Sequence, residues 1–188
     1  MYIKEFNVIY TEKKTDEYRL YICKKSLENQ LYRIFELADR NKIAEYIKYF
    51  NSLNFKDFYG DFSIDEKYYI VFKHPDGIIA GDSDWKKLSA KDIVKALVLQ
   101  NPPLEIAVPM LSFNNIFVYE KEIRFAYVLP MLDNRACKGL LEEKLADMID
   151  LIWSEHRTPE AKRWLDSLRS GKFSHLVIAL KYMPENEK

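Results

Sequence analysis

Carboxylates are the residues of this chain best suited to chemistry. Glu143, Asp147 and Asp150 fall near one face of a predicted helix, and Asp82 and Asp84 share a short acidic loop. Oxygen donors of this kind suit a hard cation such as magnesium or calcium. No histidine stands near enough to support them, so a solvated acidic face is the better reading and no metal is expected. His74, His156 and His175 lie far apart, and none has a neighbouring serine or cysteine to activate as a nucleophile. His156 reads more simply as a cation at the C-terminal end of a long helix, where the dipole favours it.

The strong catalytic spacings are missing. There is no Gly-x-x-x-x-Gly-Lys loop, no His-Glu-x-x-His, no Cys-x-x-Cys and no Gly-x-Ser-x-Gly elbow. The two cysteines, Cys23 and Cys137, are too few and too distant for a zinc site or a disulfide framework, which points to a reducing compartment. Twenty-nine basic residues balance twenty-nine acidic ones, so no net field steers the chain toward a phosphate backbone, and no nucleic-acid partner is expected. The lysine pairs 13–14, 24–25 and 86–87 read as solvated edges.

Apolar residues make up 48% of the chain and aromatics 14%, enough to build a packed core and to exclude a disordered chain. Thirteen tyrosines are many for this length, and Tyr46, Tyr49, Tyr68, Tyr69 and Tyr119 are the interface candidates, because tyrosine supplies large contact area at low entropic cost. The competing reading is that they fill half-buried strand faces. No stretch approaches the roughly eighteen apolar residues of a membrane span, and the N-terminus lacks a signal-peptide pattern, so a cytoplasmic location is expected.

These side chains must be held by elements that the periodicity outlines. Residues 6–10 and 18–22 alternate apolar and polar around a polar turn at 11–17, and a third strand runs over 31–37. Ile43, Ile47 and Phe50 mark an amphipathic helix over 39–54, with Asp39 or Asn41 as N-cap. Strands follow at 55–64 and 68–73. The Pro/Gly-bearing stretch 74–87 reads as a hinge, Ser89 starts a helix, Pro102 and Pro103 break it, and a short helix stops at Pro109. A charged turn at 120–122 joins strands 115–119 and 123–129. The strongest helix spans 137–156, Thr158-Pro159 opens another, and 173–183 is ambiguous between strand and helix. The predicted fold class is α+β: an N-terminal antiparallel sheet of about five strands with one inserted helix, then a mainly helical half with a β-hairpin. The expected organisation is a strand-rich lobe at 1–74, a hinge at 75–88, a helical half at 89–183 with hairpin 115–129, and a frayed tail at 184–188.

Three strands, a helix, two strands, a connector, helices and then a hairpin after Asn115-Ile116-Phe117-Val118 resemble the order of parts in a protein kinase. The resemblance implies a kinase-like, truncated architecture in which residues 31–37 carry the phosphate-binding cation, the helix carries its acidic partner, and Asn115 ends the catalytic loop. If a nucleotide pocket persists, Arg33, Glu45 and Asn115 are its candidates. The departures are systematic: residues 11–17 contain no glycine, the third strand has Arg33 and no lysine, and Met110 and Tyr127 stand where a kinase places carboxylates. The resemblance therefore implies a pseudokinase, similar to the compact cytoplasmic domain of the EssB/YukC component of type VII secretion machines. The expected function is a non-catalytic protein–protein interaction module, an adaptor or assembly subunit, with another protein as partner and no cofactor. An immunity- or antitoxin-like binding protein and a divergent phosphotransferase are the alternatives, and self-association stays open.

Overall fold

The computed structural model describes residues 1–37, 39–53, 55–82, 88–133 and 135–185. The chain divides into two compact units, Met1–Pro75 and Asp76–Lys188.

The first unit is a six-stranded antiparallel sheet with one helix. Its strands are β1 (Tyr2–Ile3), β2 (Phe6–Lys14), β3 (Tyr18–Lys25), β4 (Leu31–Leu37), β5 (Phe58–Ile64) and β6 (Lys67–Lys73), in the order β1-β2-β3-β4-β6-β5. The short β1 has no signal in the periodicity. The polar stretch expected as a turn at 11–17 is strand as far as Lys14. The reversal itself is made by Thr15, whose hydroxyl accepts the Tyr18 N–H at 3.0 Å.

Both faces of this sheet are buried at β6, which is why Tyr68, Tyr69, Ile70, Val71 and Phe72 form an unbroken apolar run. On one face Phe6, Tyr21, Tyr32, Ile34, Tyr69 and Val71 cluster, with Phe62 of β5 stacked 6.5 Å from Phe6 of β2, so the sheet curls until its two sides approach each other. Lys25 seals that seam by donating to the Tyr59 hydroxyl at 2.5 Å and pairing with Glu5 at 3.2 Å. The opposite face receives α1 (Arg40–Phe50), capped by the Asp39 carboxylate, which accepts the Asn41 N–H at 3.0 Å. Phe50 of α1 stacks 5.0 Å from Phe58 and meets Phe72 edge-on at 5.9 Å.

The second unit carries α2 (Ala90–Gln100), α3 (Leu104–Met110), α4 (Lys138–Ile152), α5 (Pro159–Arg169) and α6 (Leu176–Lys181), with a three-stranded sheet of β7 (Ile78–Ile79), β8 (Ile116–Tyr119) and β9 (Glu122–Phe125). The stretch expected as a hinge thus contributes β7 and a 3-10 turn, Ala80–Asp82, to this unit. The hairpin forms with Ile116 opposite Phe125 and Tyr119 opposite Glu122. Its second strand ends at Phe125, so residues 126–129 leave the ladder after the Ala126 N–H reaches the Asn115 carbonyl at 2.7 Å. Gln100, at the end of α2, acts as a one-residue strand along the open edge of β9. Its side-chain NH2 donates to the Phe125 carbonyl at 2.9 Å, and its Oε1 accepts the Phe125 N–H at 2.7 Å.

Helix α3 runs through Pro109 to Met110, contrary to the expected stop. Proline there removes the N–H that would donate to Glu105, and the Glu105 carbonyl instead accepts the Met131 N–H at 2.8 Å. Helix α4 buries Leu141, Leu145, Met148, Ile149 and Ile152, and Trp153 after it meets Trp164 of α5 edge-on at 5.8 Å. The ambiguous 173–183 stretch is helical at α6, fixed by the Trp164 indole N–H donating to the Ala179 carbonyl at 2.9 Å. His156 lies beyond the end of α4 at Ile152, so it is not the helix-terminal cation expected.

Candidate functional site

Arg33 sits in the middle of β4, opposite Ile22 on one side and Phe72 on the other, and so shares the sheet face of Phe35 and Phe72. Its side chain is only 3% exposed. Its Nη1 donates to Glu12 Oε1 at 3.3 Å, and its buried Nε has no hydrogen-bond partner among the described residues. Burial pulls the guanidinium below its usual pKa, and the Glu12 carboxylate opposes that shift. Glu45, the expected acidic partner, is exposed on α1, and no ion pair joins it to Arg33 among the described residues.

Asn115 is spent on its own loop. Its side-chain NH2 donates to the Met110 carbonyl at 3.2 Å, and its backbone carbonyl holds Ala126. Met110 and Tyr127, at the positions where the resemblance would place carboxylates, are buried within the second unit's core. Neither side chain carries the carboxylate with which a kinase accepts the substrate proton or ligates magnesium.

Of the acidic residues of the helical face, Asp147 and Asp150 are paired with arginines, and Glu143 is exposed. Arg169 donates to Asp147 at 2.9 Å and to Asp150 at 3.0 Å, and Arg157 also pairs with Asp150. No cluster able to hold a metal ion occurs among the described residues. Asp84, Lys86 and Lys87 lie outside the described residues, and Asp82 ends a 3-10 turn.

The tyrosine candidates separate by burial. Tyr68 and Tyr69 are buried in β6, where their hydroxyls donate to Asp61 at 2.6 Å and to Glu36 at 3.2 Å, which leaves them no face for a partner. Tyr46 and Tyr49 are half-buried on α1, and burial pushes the Tyr46 hydroxyl up to about 12. Tyr119 is 56% exposed at the tip of the β8–β9 hairpin. It lines a surface pocket of about 230 Å³ with Asp76, Glu120, Glu122 and Arg124.

Two carboxylates that the sequence reading passed over prove to be central. Glu36, buried in β4, accepts from the Tyr21 and Tyr69 hydroxyls at 3.3 and 3.2 Å and pairs with Lys67 at 3.2 Å, so its charge is matched on several sides. A single acid inside the apolar run Leu31–Leu37 was the available signal. Glu12, which lay in the expected turn, is the carboxylate that reaches Arg33.

Solved structures share this fold. The chain superposes on a crystal structure of Rad53 residues 1–466 in complex with AMP-PNP with a TM-score of 0.67 at 11% identity, covering 95% of this chain and 65% of that one. It superposes on the Mycobacterium tuberculosis PknI kinase domain with a TM-score of 0.64 at 11% identity, covering 100% of this chain and 98% of that one. The chain has a protein-kinase-like fold. No family model and no curated protein matches the sequence. In this kinase-like fold the buried cation of β4 is an arginine paired with Glu12 of β2, across β3, and the loop asparagine closes its own turn. No helix among the described residues is long and apolar enough to cross a membrane.

Proposed function

We propose that this chain is a non-catalytic protein–protein interaction module with a pseudokinase-like fold, acting as an adaptor or as a subunit of an assembly. The observation that supports it best is the commitment of the pocket candidates to internal contacts: Arg33 to Glu12 and Asn115 to the Met110 carbonyl. Phosphoryl transfer depends on placing cations and carboxylates around a triphosphate, and Met110 and Tyr127 offer none. The resemblance to the EssB/YukC cytoplasmic domain makes a bacterial secretion machine the assembly to examine first. Tyr119 on the second unit supplies exposed aromatic contact area, and Tyr46 and Tyr49 supply half-buried area on the first.

A nucleotide-binding or phosphotransferase reading is favoured by one feature, a buried cation on β4 of a kinase-like sheet. One titration separates the two. Thermal melting with ATP and magnesium is expected to leave the midpoint unchanged, and incubation with γ-labelled ATP is expected to transfer no label. A midpoint that climbs with ATP concentration and returns to baseline in Arg33→Met, or label transfer that this variant abolishes, would overturn the non-catalytic reading.

A further inference from the structure

The tip of the β8–β9 hairpin gathers more negative charge than its neighbours neutralise. Asp76, Glu120 and Glu122 line the pocket beside Tyr119, and Arg124 is the cation among them. The chain as a whole is neutral, so this excess is local. Arg124 reaches Glu122 at 3.3 Å with both side chains well exposed, a pairing that contributes little in water. Asp76 and Glu120 have no ion pair, and the Tyr119 hydroxyl has no hydrogen bond, among the described residues.

The backbone draws these groups together. The register that sets Ile78 opposite Val118 carries Gly77 alongside Tyr119 and leads Asp76 toward Glu120. Gly77 comes so close that a Cβ would stand 2.3 Å from the Val118 carbonyl oxygen and 2.9 Å from the Tyr119 nitrogen, so a larger residue would push Asp76 away from the tip. Glu120 sits at φ +54° in a two-residue connection where glycine or asparagine is the usual choice. Like charges brought this near repel, and a cation entering between them removes the repulsion.

Size and geometry select the cation. About 230 Å³ is below the roughly 300 Å³ at which small-molecule sites begin, and is room for a side chain. No group of carboxylates converges closely enough to hold a metal ion among the described residues, so the negative charge is spread around the rim. Tyr119, 56% exposed, offers an aromatic face. A guanidinium matches such a rim, because it is planar, stacks on aromatic rings and donates in a fork to carboxylate oxygens. We propose that this pocket receives an arginine side chain of a partner protein, stacked on Tyr119 and paired with Asp76 and Glu120. The inference rests on the interaction-module reading and names the chemistry of the partner. The pocket lies wholly within the second unit and involves neither Arg33 nor Asn115.

The test titrates N-acetyl-arginine amide into the full chain at constant ionic strength and follows the backbone amide resonances of residues 119–124. The citrulline and lysine analogues, free arginine and magnesium are titrated separately. Saturable movement is expected with the blocked arginine, weaker binding with lysine, and no movement with citrulline, which keeps the shape and lacks the charge. Half-saturation is expected to rise about fivefold in each of Asp76→Asn, Glu120→Gln and Tyr119→Leu, and to fall about fivefold in Arg124→Gln. Glu143→Gln, an exposed carboxylate on α4, should leave it unchanged. All these side chains are exposed, and unchanged amide spectra away from the tip verify that each variant folds. No saturable movement with the blocked arginine, an equal response to citrulline, an equal loss in Glu143→Gln, or tighter binding of lysine or magnesium overturns the proposal. So does tighter binding of free arginine, which assigns a small metabolite, or movement of these amides with protein concentration alone, which assigns a second copy. Label transfer from γ-labelled ATP would defeat the non-catalytic reading and leave this titration unchanged, whereas a flat titration would defeat the pocket and leave that reading standing.

Discussion

Gln100 closes the edge of β9 as though it were another strand, and its removal should be felt as a lost strand pairing. In Gln100→Ala the Phe125 N–H and carbonyl lose partners at 2.7 and 2.9 Å, while Phe125 itself stays buried at 1% exposure. Each net hydrogen bond contributes about 1 kcal/mol, and a buried group left unpaired adds its desolvation cost, so the expected loss is about 2–3 kcal/mol. For a chain of this size that lowers the midpoint by about 5–10 °C. Urea unfolding gives the magnitude, and hydrogen exchange at the Phe125 amide shows whether the loss is local. Leu99→Ala is the control, since Leu99 is 73% exposed and makes no such bridge. Gln100→Glu adds a sign test. Its ionised carboxylate would face the Phe125 carbonyl, so the protonated form is favoured in the folded state and the carboxyl pKa rises above the usual ~4.3. The stabilising donor is then fully present below that value and is lost as pH rises through the folded pKa. Gln100→Glu should approach wild type in acid and fall below Gln100→Ala at pH 7. A Gln100→Ala variant within about 0.5 kcal/mol of wild type, with unchanged exchange at Phe125, would refute the edge-closing role.

Two further outcomes test the packing. Gly77 adopts φ +113°, and a Cβ there would stand 2.3 Å from the Val118 carbonyl oxygen, so Gly77→Ala should break the β7–β8 pairing and speed exchange at the Ile79 and Val118 amides. Unchanged exchange would mean that the close approach is not what holds β7. Burial pushes the Cys23 thiol up from 9.0 to about 12, while Cys137 is exposed, so iodoacetamide at pH 8 should modify one cysteine in the native protein and two in urea, as read by mass spectrometry. Because the folded pKa is the higher one, this thiol costs nothing below pH 9 and removes stability at about 1.4 kcal/mol per pH unit from there toward 12.

Much of the first unit was legible because both of its periodicities are strong. Alternation placed β3, and the spacing of Ile43, Ile47 and Phe50 with Asp39 as cap placed α1. The turn at 11–17 was misread for a physical reason. Residues of β2 past Val8 are exposed, so the strand has no buried face to alternate and reads as polar loop. The end of α3 was misread because a proline's missing donor matters only when its acceptor has no other partner, and Met131 supplies one from a distant segment. Of the site candidates, Arg33 and Asn115 were visible as residue types. Their engagement was not, since Glu12 reaches Arg33 only through a bulge, and a bulge leaves no compositional mark. The tyrosines show the same limit: Tyr68 and Tyr119 look alike in sequence, and burial alone separates a core hydroxyl from an exposed one.

The sequence by itself determined the order of the longer elements, the fold class and the missing carboxylates at Met110 and Tyr127, because these follow from local periodicity and residue identity. Tertiary structure alone decided which charges meet. Glu36 with Tyr21, Tyr69 and Lys67, Gln100 with Phe125, and Glu12 with Arg33 are contacts between segments far apart in the chain. Their partners are selected by strand register and by desolvation, neither of which is a property of any single stretch of sequence.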